Sequence, residues 1–244
     1  MACARLDRYG LLVVSGDDAR AFLHAQLTND IEHLANERSA LAGWCSPKGR
    51  LLASFLVIPS PRGFLLQLAR DLAQPVAKRL SMFILRSKVK IADESAAWAQ
   101  YGIWDCDEPG TDVSWAGEIG TVRVGERRCL RLAPADKLDL QATDAEETWR
   151  LQEIRAGRPL ITAATQDQFV PQMVNLETLG GIDFKKGCYP GQEIVARAQY
   201  RGQVKRRMQR LPVPPGTALA AGQEYGGGMV VDSAGGEMLA VMPL

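Results

Sequence analysis

Three apolar runs joined by tight turns limit most strongly how this chain can fold. The runs are ALAGWC at 40–45, LLASFLVI at 51–58 and FLLQL at 64–68, and SPKGR and PSPRG separate them. Proline and glycine favour turns, and turns this short join antiparallel neighbours, because a parallel pair needs a crossover of about a dozen residues or more. The stretch therefore predicts an antiparallel sheet.

Helical patterns flank this sheet but do not alternate regularly with strands. Asp17 or Asp18 can cap a helix over 19–27, Asp71 opens another over 72–85, and a third is predicted over 143–157. Further strand patterns occupy 88–92, 99–104 and 121–133, with a loop predicted at 105–120. A regular parallel sheet would require alternation, so the predicted class is α+β with mostly antiparallel sheets.

The charge balance excludes several classes of function. The 244 residues carry 29 Lys and Arg against 28 Asp and Glu, a formal net charge of +1, so no global field draws the chain to nucleic acid or to an anionic membrane. One basic run, RGQVKRRMQR at 201–210, lacks interleaved aromatic residues and is interpreted as a solvated face. We expect a monomer with no direct nucleic-acid partner and no membrane association.

The cysteine usage indicates free thiols. The number of cysteines is odd, and no two form a C-x-x-C pair. This argues for a reducing, cytoplasmic location and against a disulfide framework or an all-cysteine zinc site. The two histidines, His24 and His33, lie nine residues apart, so we expect no preformed mononuclear metal site. The five cysteines are Cys3, Cys45, Cys106, Cys129 and Cys188.

One cysteine lies in a context that suits chemistry. In DFKKGCYPGQEIVAR, residues 183–197, Pro190 suits the first position of a helix and Glu193 its third. Cys188 would then lie just outside a helix N-terminus, where unpaired N–H groups and the helix dipole favour a thiolate. Lys185 and Lys186 add positive charge. The pattern predicts a reactive or metal-binding cysteine.

Two glycines flank that cysteine, and an alternative interpretation stays open. Gly187 and Gly191 are predicted to adopt backbone shapes that a side chain would forbid. The alternative is a loop cysteine beside solvated lysines. No histidine or second cysteine is near in sequence to complete a dyad or a metal site.

Trp149 does not share the apolar face of its predicted helix. Leu151 and Ile154 lie three residues apart on one face, whereas the neighbours of Trp149 at helical spacing include Gln152 and Glu153. An indole beside a polar stripe needs another partner. Packing between modules, a flat ligand and solvent are the candidates.

The octapeptide KGCYPGQE at 186–193 closely resembles the signature of the YgfZ family of folate-binding proteins, relatives of the glycine-cleavage T-protein. The flanks FVPQMVNLETLGGIDF and VARAQYRGQVKRR resemble the family too. So do two N-terminal blocks, FLHAQLTNDIEHL at 22–34 and GWCSPKGRLLASF at 43–55. The resemblance spans roughly residues 5 to 210, which makes it specific.

The resemblance implies a three-module α+β fold around a central channel that can hold a tetrahydrofolate. The expected domains are a T-protein-like region over 1–204, split near 1–95 and 96–204, and a small β module over 205–244. That tail is short for a closed β-barrel, which needs enough strands to seal its edges.

The resemblance also implies a function. The expected protein is a non-catalytic tetrahydrofolate-binding accessory factor that supports iron–sulfur enzymes, including those that thiolate tRNA. Its expected partners are folate, bound weakly, and iron–sulfur assembly proteins or client enzymes. No resident metal is expected, although the motif cysteine could be a shared cluster ligand. The implied functional residues are Cys188 and Lys186 with the motif residues Gly187, Gly191, Gln192 and Glu193, and Tyr9 and Trp149 at the folate site.

Two departures from the T-protein keep alternatives open. Ala53 and Ser54 occupy the positions of its carboxylate pair, one of which is its acid–base group, and a lost proton-transfer group typically costs about 10²–10⁴-fold in rate. Arg155 stands where the T-protein has a pterin-binding glutamate. A folate-dependent aminomethyl or one-carbon transferase is one alternative. An interaction scaffold that has lost folate binding is the other.

Overall fold

The computed structural model describes residues 2–106, 112–202 and 204–244. The chain forms two compact units. Unit 1 comprises Met1–Phe22, Glu32–Ala40 and Leu56–Trp149, and unit 2 comprises Leu23–Ile31, Leu41–Phe55 and Arg150–Leu244. Part of the loop predicted at 105–120, residues 107–111, lies outside the described residues, as does Gln203 of the basic run.

The first sheet belongs to unit 1. Its strands are β1 (Ala2–Arg5), β7 (Trp98–Trp104), β8 (Val113–Ala116), β9 (Ile119–Gly125) and β10 (Arg128–Pro134), in the order β1-β7-β10-β9-β8 with antiparallel pairing. The strand pattern predicted over 121–133 was wrong only in its continuity, because Arg127 turns the chain with a φ of 53° and divides it into a hairpin. The loop predicted over 105–120 was also wrong, since it contains β8 and the start of β9.

The second sheet contains the hairpins that the apolar runs predicted, and these are confirmed. Its strands are β2 (Tyr9–Ser15), β3 (Ala40–Cys45), β4 (Leu51–Ser60), β5 (Gly63–Ala69) and β6 (Lys90–Asp93), in the order β3-β4-β5-β2-β6. Leu11, Leu65 and Leu66 are fully buried, because the central strands are covered on their apolar sides. Burial of such side chains contributes roughly 1.5–3 kcal/mol each.

Four α-helices are present in the described chain. They are α1 (Ala19–Gln26), α2 (Arg70–Ser81), α3 (Glu146–Arg155) and α4 (Gln192–Tyr200), and a 3₁₀ turn covers Pro171–Val174. The helix predicted to run to Leu85 ends at Ser81, because the N–H groups of Met82 and Phe83 bond three residues back and tighten the chain into a turn. None of these helices is long and apolar enough to cross a membrane.

The third sheet lies in unit 2 and is built from the tail. Its strands are β11 (Arg206–Pro212), β12 (Glu224–Tyr225), β13 (Gly228–Ala234) and β14 (Glu237–Pro243), in the order β11-β14-β13-β12. Val230, Met238 and Ala240 form its buried core. The mixture of helices with antiparallel sheets confirms the predicted α+β class, whereas the domain boundaries and the central channel stay predictions.

Candidate functional site

The site is built around the motif loop, residues 183–191, in unit 2. The carboxylate of Asp183 begins the loop by accepting bonds from the backbone N–H groups of Lys185 at 2.6 Å and Lys186 at 3.2 Å. An aspartate that binds the backbone two or three residues ahead stabilises a turn. The loop therefore begins from a fixed backbone shape.

Lys186 ties this loop to the end of α1. Its side chain is buried, and its Nζ donates hydrogen bonds to the backbone carbonyls of His24 and Leu27, the second at 2.8 Å. The ammonium also lies 4.8 Å from the ring centroid of Tyr189. The last carbonyls of a helix lack partners within the helix and favour a cation. Lys186 supplies that cation, so the alternative of solvated lysines fails at this position.

Burial and charge act in opposite directions on Lys186. Desolvation lowers the pKa of Lys186 from 10.5 to about 8, while the negative charges of Asp30, Asp183 and Cys188 pull it upward. Burial disfavours the charged amine, and nearby anions favour it. Lys186 therefore loses its proton more readily than a lysine in water.

Gly191 and Gly49 lie where two turns approach each other closely. Gly191 has a φ of 79°, and a Cβ on it would lie 2.4 Å from the carbonyl oxygen of Ser46. Gly49 has a φ of 68°, and its Cβ would lie 2.7 Å from the Cβ of Ile194. Both positions exclude a side chain, by conformation and by space. The prediction of a special backbone is confirmed for Gly191.

Gly187 differs from the other motif glycine. Its φ lies outside the left-handed region, and a Cβ there would meet only the Nε2 of His24 at an ordinary 3.7 Å. The prediction that its backbone shape forbids a side chain was therefore wrong. The presence of a glycine next to a cysteine in sequence does not by itself indicate which backbone conformation that glycine adopts.

The helix behind Cys188 starts later than the sequence predicted. The left-handed Gly191 is the residue before the helix, so α4 begins at Gln192 and Pro190 lies outside it. Glu193 is consequently its second residue. Val195 is buried, and the side-chain amide of Gln172 donates to its carbonyl oxygen at 2.7 Å, which anchors the helix. Cys188 lies well before Gln192 in the chain, where the helix dipole is weaker than at the first turn.

Cys188 differs from the other four cysteines in exposure. Cys188 is exposed, whereas Cys3, Cys45, Cys106 and Cys129 are buried. Burial raises the pKa of Cys45 to about 12. Cys3 could have been exposed near the start of the chain, but its Sγ donates to the carbonyl of Gln141 at 3.2 Å. Reagents in solution therefore reach Cys188 first.

His24 is the neighbour that sequence reasoning missed. Its Nδ1 lies 3.1 Å from the Oδ1 of Asp30, and its Nε2 lies beside Gly187. The large sequence separation between α1 and the motif hides this proximity, and an isolated histidine on a helix gives no signal of it. The imidazole of His24 therefore lies beside the residue that precedes Cys188 in the chain.

The described residues provide no complete metal centre. Across residues 2–106, 112–202 and 204–244, no three or more His, Cys, Asp or Glu side chains lie close enough together to hold a metal ion.

The aromatic residues expected to line a folate site both lie in unit 1 and are buried. Tyr9 lies on β2 opposite Ala69. The Trp149 side chain is 3% exposed, and a Cβ on Gly102 would lie 2.2 Å from its Cε3. The Arg128 guanidinium is 5.4 Å from its ring centroid. The partner that the Trp149 ring needs is therefore β7 of its own unit, against which the ring packs.

These contacts leave little ring surface for a ligand. A pterin that stacks needs an aromatic face, and both Trp149 and Tyr9 are covered by protein. The residues present therefore fit a folate stacked between these two rings poorly.

The two positions that depart from the T-protein have structural partners here. The hydroxyl of Ser54 donates to the carbonyl of Pro159 at 3.2 Å and accepts from the N–H of Ile161 at 3.0 Å. Ala53 beside it is fully buried. Arg155 ends α3 and pairs with Glu237 of β14 at 2.7 Å. Neither position holds a carboxylate for proton transfer.

Comparison with curated proteins gives the family. The chain is 32% identical over 225 residues to the tRNA-modifying protein YgfZ of Pectobacterium carotovorum subsp. carotovorum, which covers 83% of the chain and 68% of that protein. It is 30% identical over 242 residues to YgfZ of Klebsiella pneumoniae, covering 90% and 74%. The chain belongs to the YgfZ family. The resemblance predicted from the motif is thereby confirmed, although no family model matches the chain.

A solved structure supports the fold. The chain is similar to the glycine cleavage system aminomethyltransferase T of Bartonella henselae, with a TM-score of 0.76, 99% of this chain covered and 78% of the other. The identity is 15%, so this likeness shows the fold alone. The predicted T-protein-like fold is confirmed.

The buried ammonium can be tested against its exposed neighbour. Lys186→Met should lower the free energy of unfolding by about 1–3 kcal/mol, because it leaves helix carbonyls without a donor. Lys185→Met removes an exposed charge and should change it by less than about 0.5 kcal/mol. Denaturant unfolding of the two variants measures the difference. Equal losses would show that Lys186 does not cap α1.

The two motif glycines offer a second matched pair. Gly191→Ala should cost about 1–3 kcal/mol, since it places a side chain at positive φ against the Ser46 carbonyl. Gly187→Ala should stay within about 0.5 kcal/mol. Thermal melts of both variants check the prediction, and an intolerant Gly187 together with a tolerant Gly191 would contradict it.

Proposed function

We propose that this protein acts in tRNA modification as a non-catalytic accessory factor whose working group is the thiol of Cys188. The observation that carries the proposal is the position of Cys188. It is the exposed member of five thiols and lies on a loop fixed by Lys186 and Gly191. The YgfZ relatives, named as tRNA-modifying proteins, support the process. A cytoplasmic location belongs to the same proposal.

The partners proposed for that thiol are iron–sulfur proteins. The motif resemblance implies a role in supporting iron–sulfur enzymes, including those that thiolate tRNA. Cys188 is a soft ligand and a nucleophile when ionised. Because the described residues contain no group of three or more metal-ligating side chains, Cys188 would bind a cluster together with ligands of a partner protein, or exchange thiols with that partner. Lys186, bonded to the end of α1, would hold the thiol in place for that partner.

Weak tetrahydrofolate binding is proposed as a second property. The T-protein-like fold supports it, whereas the buried rings of Tyr9 and Trp149 and the cation of Arg155 argue for low affinity. The alternative of an interaction scaffold that has lost folate binding corresponds to an affinity for folate too low to matter. The one-carbon transferase is less favoured, because Ser54 uses its hydroxyl in backbone hydrogen bonds and Ala53 carries no acid–base group.

The role of the thiol is tested in cells. In a bacterial strain that lacks its YgfZ protein, this chain should restore thiolated nucleosides in bulk tRNA, and Cys188→Ser should not. Mass spectrometry of digested tRNA measures the effect. The variant should melt like the parent protein, because Cys188 is exposed and its replacement is worth less than about 0.5 kcal/mol.

The matched control is Cys3→Ser. Serine can keep the bond to the Gln141 carbonyl, so this variant should restore thiolation fully. Alkylation of the parent protein should modify Cys188 before the four buried thiols. Restoration by Cys188→Ser, or faster labelling of Cys3, would remove the basis of the proposal.

Folate binding is tested with a charge swap. Titration of the parent protein with tetrahydrofolate should give a Kd in the micromolar range or weaker, equivalent to roughly 8 kcal/mol or less. Arg155→Glu combined with Glu237→Arg keeps an ion pair but places a carboxylate on α3, and it should bind folate more tightly. Trp149→Phe is the control for the ring, because Trp149→Ala would open a cavity worth about 3–5 kcal/mol. Unchanged affinity in the swapped variant would contradict a pterin at this position.

A further inference from the structure

One cluster of cations in the described part of unit 2 has no ionic partner. Arginines elsewhere in the unit pair with carboxylates, as Arg150, Arg155 and Arg207 do. In the part of the chain that the structure describes, no ion pair involves four basic side chains between the last turn of α4 and the start of β11. These are Arg197, Arg201, Lys205 and Arg206, and all four are exposed.

Two arginines lie at the C-terminal end of α4, Arg197 within its last turn and Arg201 directly after its last residue. Arg197 and Arg201 lie four residues apart, and Tyr200 lies three residues from Arg197, so the three side chains project from neighbouring positions. They line a surface groove of about 470 Å³ together with Glu193 and Ala196. Glu193 lies four residues before Arg197, a spacing at which opposite charges on a helix attract, whereas Arg201 has no carboxylate at this spacing, so the two arginines outnumber the one carboxylate in the groove. The groove therefore presents a site for an anionic ligand.

An exposed aromatic ring accompanies these cations. Tyr200 is 70% exposed, and Phe184 of the motif loop contacts it edge-on, with ring centroids 5.9 Å apart and an angle of 70°. The contact orients the tyrosine but leaves most of it open. It also brings the motif loop, which carries Cys188, to the end of α4.

We propose that this α4 face binds a single-stranded segment of RNA, with phosphates on Arg197 and Arg201 and a base stacked on Tyr200. Cationic grooves with open aromatic rings bind single strands in this way, because every base has a face that can stack. An acidic peptide would use the cations but would gain less from an open ring. The inference rests on the proposed function, since it names the partner that the loop with Cys188 would meet.

A local RNA site on α4 revises the expectation of no nucleic-acid partner. That expectation rested on a near-neutral net charge and on the absence of aromatic residues within 201–210. The structure places Tyr200, just outside that run, beside its first arginine in the same groove. A local patch is compatible with a net charge of +1 when charges elsewhere pair with one another.

Fluorescence anisotropy tests the inference. The full chain is titrated into a labelled RNA at several salt concentrations. The RNA is about 12 nucleotides long, within the span that such grooves bind. The double variant Arg197→Ala with Arg201→Ala should bind more weakly. The slope of log K against log salt should fall by about 0.7 for each phosphate that the variant no longer neutralises. The matched control, Lys78→Ala with Arg86→Ala, removes the same charge from exposed positions of unit 1 and should bind like the parent.

The ring has its own pair of variants. Tyr200→Ala should weaken binding by about fivefold or more through the loss of stacking, whereas Tyr200→Phe should keep most of the affinity. Thermal melts confirm that each variant is folded. Three results would each overturn the inference. The first is that the unit 1 control weakens binding as much as the α4 double variant does. The others are that a poly-glutamate peptide competes as effectively as unlabelled RNA, or that no RNA binds near physiological salt.

A further variant separates this inference from the proposed function. Cys188→Ser should bind RNA like the parent, since Cys188 does not line the groove. If RNA binding fails while Cys188 is still required for tRNA thiolation, only the RNA inference is wrong. If RNA binds but Cys188→Ser restores thiolation, only the role of the thiol is wrong.

Discussion

The bond from the buried ammonium of Lys186 to the end of α1 is the interaction on which the site depends. Its two carbonyl acceptors belong to His24 and Leu27, so a residue of the motif completes a helix that lies far earlier in the chain. Burying the amine is costly, as the lowered pKa of Lys186 indicates, and the carbonyls, the Tyr189 ring and nearby carboxylates offset that cost. Cys188 is positioned just beyond this anchor.

The blocks that carry the family resemblance converge on the same place in unit 2. The first block provides the end of α1, which accepts from Lys186. The second provides the turn at Gly49, which Gly191 and Ile194 approach too closely for any side chain on either glycine. The third is the motif itself. These contacts bring three segments that are distant in sequence together around one loop.

The sequence was informative where the interactions are local. Turn residues and apolar runs predicted the hairpins of β3, β4 and β5, and a special backbone was predicted for Gly191. Contacts between distant segments were hidden: nothing near Lys186 in sequence indicates that it is buried, and nothing near His24 indicates the motif loop. Trp149 was recognised as unusual, and the structure shows that it packs on Gly102 in a strand of its own unit. The sequence did not predict this partner, because a glycine in a strand gives no signal of which side chain lies over it.

The positions where this chain departs from the T-protein are explained by packing. Ser54 bonds to the backbone at Pro159 and Ile161, and Arg155 joins α3 to β14 through Glu237, so each replacement has gained a partner within unit 2. A residue committed to such contacts is not available to a ligand without breaking them. Structural contacts therefore stand at the positions that the resemblance assigns to the acid–base and pterin-binding carboxylates of the T-protein, while the loop that carries the exposed thiol is held by Lys186 and Gly191. This contrast supports the proposal that the function of this protein lies at Cys188.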